Sequence, residues 1–111
     1  METVTNILLH DGIDSAQSAI KQLLFMMASA RVRGGGCLVI DYAQDSEEAE
    51  ARIGEAVRHT LVRMKKKGEI LLYLTEAELD SERTEARYLL EKCPSLAKRE
   101  RKARAVFYAY L

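Results

Sequence analysis

Three short aliphatic runs in this chain each end in side chains capable of acid–base or metal chemistry. His10, Asp11 and Asp14 follow the first run, Asp41, Tyr42 and Asp45 the second, and Thr75, Glu76 and Glu78 the third. Open α/β sheets bind ligands beyond the carboxyl ends of their strands, so three parallel strands would gather these groups on one rim. Carboxylates beside a histidine can hold Mg²⁺ or Mn²⁺ and activate water for phosphodiester hydrolysis. His10, Asp11 and Asp41 are the catalytic candidates on this reading. A plainer demand competes for the same acids: Asp14, Asp45 and Glu78 stand where helices start, and acids there cap and answer the helix dipole. No set of metal ligands is therefore assigned and no cofactor motif occurs, a divalent cation being the one group such a rim could hold.

A second chemistry is electrostatic. Arg31, Arg33, Lys65, Lys66 and Lys67 fall at the ends of two helical stretches, and Lys98, Arg99, Arg101, Lys102 and Arg104 precede the last apolar run. If the last strand is parallel to the others, both groups share the rim opposite the acids. They could then track a DNA or RNA backbone, with tyrosines nearby to stack bases. Lys plus Arg and Asp plus Glu each number 17, so no net field draws nucleic acid, and cations at helix ends also answer the dipole.

The elements that must position these groups are legible from periodicity. Residues 4–9 are a strand, and Asp14 with Gln17 makes a capping box for a helix with the stripe Ile20, Leu23, Leu24 and Met27. Arg31 and Arg33 end that helix before Gly34, Gly35 and Gly36. Glycines that follow a helix and precede a strand are a turn, not a phosphate loop. Residues 37–42 form a second strand, apolar on both faces as buried parallel strands are. Asp45 and Glu48 can cap the next helix, whose stripe is Ala49, Ile53, Ala56, Val57, Thr60, Leu61 and Met64, and Gly68 stops it. A third strand spans 69–74. Thr75 to Glu78 is another capping-box pattern, opening a third helical segment that runs to about Cys93 before Pro94 breaks it, either as one helix or as a turn over 76–79 followed by a helix from Ser81. Residues 104–111 close the chain as a strand.

This order gives one α/β domain: a two-layer sandwich with a four-stranded mixed or parallel sheet and about three helices. Placing the first strand between the second and third would set the first two helices on one face. The length of 111 residues suits one core, and 48% hydrophobic with 31% charged residues is an ordinary globular balance. The first residues lack a signal-peptide pattern and no apolar run spans a bilayer, which places the chain in the cytoplasm without a membrane partner. Cys37 and Cys93 form no C-x-x-C pair, and two buried thiols are expected there rather than a disulfide.

The opening Ile7-Leu8-Leu9-His10, then glycine, then the helix 14–30, resembles the start of Smr (small MutS-related) domains, as do the apolar second strand, Ala56-Val57 within the second helix and the closing strand. The resemblance implies a two-layer sandwich like the C-terminal domain of translation initiation factor three, together with nucleic-acid binding or nicking. Three departures matter: Asp11 stands between His10 and Gly12, residues 41–45 replace a histidine–glycine motif, and an acidic helix and basic run replace a glycine-rich segment. The chain is thus expected to be an Smr-like nucleic-acid-associated domain with lost or altered nuclease activity, so that catalysis stays open. The alternative is a non-catalytic interaction module that dimerises through a sheet face or through the terminal Val106, Phe107, Tyr108, Ala109, Tyr110 and Leu111.

Overall fold

A computed structural model of the chain describes residues 2–9, 15–101 and 105–111. The elements are β1 (Val4–Leu8), α1 (Ser15–Val32), β2 (Cys37–Asp41), α2 (Glu47–Lys66), β3 (Leu72–Thr75), α3 (Glu76–Leu79), α4 (Thr84–Lys92), a 3₁₀ helix (Pro94–Lys98) and β4 (Val106–Tyr110). The four strands form one mixed sheet in the order β1-β2-β4-β3, making the chain an α/β sandwich. β1 pairs parallel with β2, whereas β4 runs antiparallel between β2 and β3. The first strand is consequently at an edge rather than in the middle. α1 and α2 still share one face, because both crossovers step across the sheet in the same direction and right-handed connections then fall on the same side.

Period-two alternation assigns each strand residue to a face. Ile7, Leu38, Ile40, Phe107 and Ala109 meet Leu23 and Met27 of α1 and Ile53, Val57 and Leu61 of α2. Each fully buried aliphatic side chain of this kind contributes about 2 kcal/mol. The buried stripe of α1 is Ala19, Leu23, Met27 and Ala30, rotated from the expected one, and Leu24 is 41% exposed. Small residues at both ends of the stripe let α1 lie close to its neighbours. Gly36 makes the turn into β2 possible: its φ is 110°, and a Cβ would stand 2.5 Å from the Thr3 carbonyl oxygen. α2 is capped by Ser46, whose hydroxyl accepts from the Ala49 N–H at 3.0 Å, and not by Asp45.

The other face is covered by residues 76–98. Leu79, Ala86, Leu89 and Leu96 pack on Leu72, Leu74, Val106 and Tyr108. Thr75 and Glu78 complete the capping box that the sequence announces. At the carboxyl ends of β2 and β3, Arg99 donates to Glu76 from Nε at 2.9 Å and from Nη2 at 2.6 Å, and from Nη2 to Asp80 at 2.9 Å. Its guanidinium lies over the Tyr108 ring at 5.3 Å, and the Tyr108 hydroxyl donates to Glu76 at 3.3 Å. At the other rim Cys37, the first residue of β2, is bonded to Cys93, the residue that ends α4, with Cα atoms 6.5 Å apart. The two cysteines are therefore a disulfide rather than separate buried thiols. Closing a loop of 56 residues restricts the unfolded chain by about 4 kcal/mol on the chain-entropy model.

Arg99 and Glu76 are buried, with side chains 8% and 9% exposed. Removing one partner strands the other without its counter-charge. Arg99→Met is expected to lower unfolding free energy by about 3 kcal/mol in urea titrations, and adding Glu76→Leu to recover part of that loss. A single-variant loss below about 0.5 kcal/mol, the range of surface pairs, would contradict this role.

Candidate nucleic-acid interface

The antiparallel course of β4 decides where the charges go. Val106 lies opposite Asp41 and Phe107 opposite Thr75, so the start of β4 shares a rim with the carboxyl ends of β2 and β3. The run before β4 therefore comes to the acidic rim. Arg99 is spent on Glu76 and Asp80, and Arg101 reaches Asp80 at 3.3 Å. Lys98 is exposed at the same rim. Burial pulls the Arg99 guanidinium down, but its hydrogen bonds to Glu76 and Asp80 outweigh that and hold it charged. The expected basic surface of ten residues is thus divided, and this half is largely neutralised. Lys102 and Arg104 lie outside the described residues.

The other half stays together. α1 and α2 run side by side from the acidic rim, and the Arg31 Nη2 donates to the carbonyl of Glu69, just past α2, at 3.3 Å. That contact sets the end of α1 against the end of α2. Arg31, Arg33, Lys65, Lys66 and Lys67 are exposed there. Arg31 is shared with the Glu69 carboxylate at 3.8 Å, and Lys65 lies 5.9 Å from the Tyr73 ring centroid. Among the described residues no ion pair reaches Arg33, Lys66 or Lys67.

Of the catalytic candidates, His10 and Asp11 lie outside the described residues, as does Asp14. Asp41 ends β2, and its Oδ1 accepts from the Ala43 N–H at 3.0 Å, shaping the turn that leaves the strand. Glu76 and Glu78 serve the Arg99 cluster and the α3 cap. Among the described residues no three His, Cys, Asp or Glu side chains converge as metal ligands. β4 is central in the sheet, with Val106 to Ala109 all buried and only Tyr110 and Leu111 half-buried.

A cleft of about 320 Å³ opens beside β2 on the α1/α2 face, lined by Tyr42, Glu47, Glu50, Gly54, Arg58 and Phe107 among others. Gly54 inside a helix was its signal in the sequence, since a glycine there costs helix stability and commonly marks close packing. Tyr42 fills the space that a Cβ at residue 54 would need and stacks on Phe107, with ring centroids 5.5 Å apart. Ala105, at the mouth of the cleft, has a φ of 65°. Burial, then the Glu50 carboxylate, push the Tyr42 phenol upward, partly offset by a hydrogen bond to the Ala105 backbone. The cleft thus favours the neutral, hydrogen-bonding form of Tyr42.

Comparison with family models, curated proteins and solved structures finds no match to this chain.

Gly54→Ala tests the packing of the cleft. On an open helix face this change would stabilise by about 1 kcal/mol. Here the new Cβ would lie 2.6 Å from the Tyr42 ring, so a net destabilisation of about 1–2 kcal/mol is expected in thermal or urea unfolding. A more stable variant would contradict the assigned contact.

Tyrosine titration offers a second test. Tyr108, like Tyr42, is pushed above the ordinary value of 10.0, first by burial and then by the Glu76 charge, with Arg99 opposing. The fold favours both phenols in their neutral form, so this stabilisation is complete below the unfolded value and is lost as pH rises through the higher folded values. Ultraviolet titration should show two of the five tyrosines ionising later in the folded chain than in denaturant. Folded and denatured titration curves that coincide would refute it.

Proposed function

We propose that this chain is a nucleic-acid-associated domain of the Smr type, meeting the phosphate backbone through the rim where α1 and α2 end. The observation that carries the reading is the Arg31–Glu69 contact, which brings two helix C-termini together and sets Arg33, Lys65, Lys66 and Lys67 outward on one edge. Cations held side by side on rigid elements suit a run of phosphates better than cations scattered over loops. Support comes also from the strand–histidine–glycine–helix opening and from the α/β sandwich with its four-stranded mixed sheet. Binding is the main activity on this reading. Any hydrolysis would fall to His10, Asp11 and Asp41, and Asp41 already shapes its own turn.

The test is binding of single- and double-stranded RNA and DNA oligonucleotides over a salt series. Four phosphate contacts on a single strand give a slope of log K against log salt of about −3. Lys66→Gln and Lys67→Gln should each flatten that slope by about 0.7, whereas Lys98→Gln on the far rim should leave it unchanged. An absence of binding at low ionic strength would refute the proposal. Nicking that survives His10→Ala would remove His10 from any catalytic role.

A further inference from the structure

We infer that the Cys37–Cys93 bond is a redox-cleavable latch on a hinged flap formed by residues 80–99. The flap has a pinched base and a single covalently held tip. At its base, Asp80 and Arg99, the two ends of the segment, are paired at 2.9 Å, and Arg99 is anchored in turn on Glu76. From that base α4 runs down the sheet to Cys93, and the 3₁₀ helix returns from Pro94 to Lys98. Cys93 at the tip is bonded to Cys37 at the opposite rim. A further polar tie at the tip is a pair of exposed hydrogen bonds from Ser95 to the Glu2 carboxylate, at 2.8 and 2.6 Å. Once the covalent bond is gone, the base can act as a hinge, and the tip is held by the Ser95–Glu2 contact and by the packing of Leu89 and Leu96 on the sheet.

The chemistry has a direction. Cys37 and Cys93 are each 1% exposed, and a small cavity of about 150 Å³ beside Gly34, Gly35 and Lys92 reaches Cys93 but not Cys37. The co-reactant is a dithiol reductant, a small molecule or a protein with two neighbouring thiols. Local opening of the tip widens that cavity, and the reductant's thiolate then attacks the Cys93 sulfur. The disulfide breaks, and its electron pair leaves on the Cys37 sulfur, which takes up a proton. The reductant's second thiolate then attacks the reductant's own sulfur in the mixed disulfide and displaces Cys93, which is protonated in turn. Two electrons pass to the chain, giving two thiols, and the reductant becomes a disulfide. The freed flap lifts from Leu72, Leu74 and Tyr108, while the α1/α2 face keeps its own core.

Hydrogen–deuterium exchange of the whole chain, before and after dithiothreitol, tests this. Alkylation after denaturation should add no groups to the untreated chain and two to the reduced one. Reduction should speed exchange across residues 84–98 at least about tenfold and leave α1 and α2 unchanged, as expected for a local opening. Cys93→Ser should exchange fast in this segment without reductant and be insensitive to it. Trapping with glutathione should place the first adduct on Cys93. A uniform rise in exchange over the whole chain would make the bond a simple cross-link and overturn the latch. Unchanged exchange at 84–98, thiols that label without reductant, or a first adduct on Cys37 would each overturn it too.

Discussion

The insertion of β4 between β2 and β3 is the constraint on which the rest of the molecule depends. Its backbone completes the hydrogen-bond ladders of both neighbours, and its side chains supply Phe107 and Ala109 to one core and Val106 and Tyr108 to the other. A chain that must return antiparallel to fill the centre of its sheet has to approach from the carboxyl ends of β2 and β3. That approach carries Arg99 and Arg101 to Glu76 and Asp80. What reads in sequence as one end of a long basic surface is instead the counter-charge for two acids at a strand terminus. Burial makes that pairing consequential, because charges withdrawn from water are tolerated only when they are satisfied.

The same placement divides the protein's surface by chemistry. At the carboxyl-end rim, opposite charges cancel around α3 and the start of β4. At the other rim the C-terminal turns of α1 and α2 leave cations outward, where they also answer the helix dipoles. Net charge is zero, yet the cations and the acids are not evenly mixed. Exposed cations are therefore gathered at one edge, although the molecule as a whole is neutral. The flap over the second face joins both rims, with its ion-paired base at the neutralised edge and its disulfide at the basic one.

Much of this was legible in the sequence, for reasons that can be named. Elements announced by local signals emerge where expected: the Thr75–Glu78 capping box, the break at Pro94, the stripe of α2 and the closing strand. Strand order and direction were not legible, since an apolar run such as residues 106–109 fits equally well at an edge or in the centre. The pairing of Cys37 with Cys93 was missed because nothing local joins residues 56 apart. Asp45 and Ser46 are adjacent and both suited to a cap, and only the backbone geometry selects Ser46. Of the candidate site, Arg31 and Lys65 to Lys67 do fall at helix ends, while the rim of Lys98, Arg99 and Arg101 hung on the direction of the last strand, which the sequence leaves open and which is antiparallel.

The central claim is that phosphate contacts are confined to the edge where α1 and α2 end. Backbone amide shifts measured by NMR while a short single-stranded oligonucleotide is added test it most directly. The account predicts perturbations clustered at residues 31–36 and 63–69, with residues 76–80 and 99–101 unmoved. Perturbations centred on residues 76–80 and 99–101, or none at either rim, would contradict it.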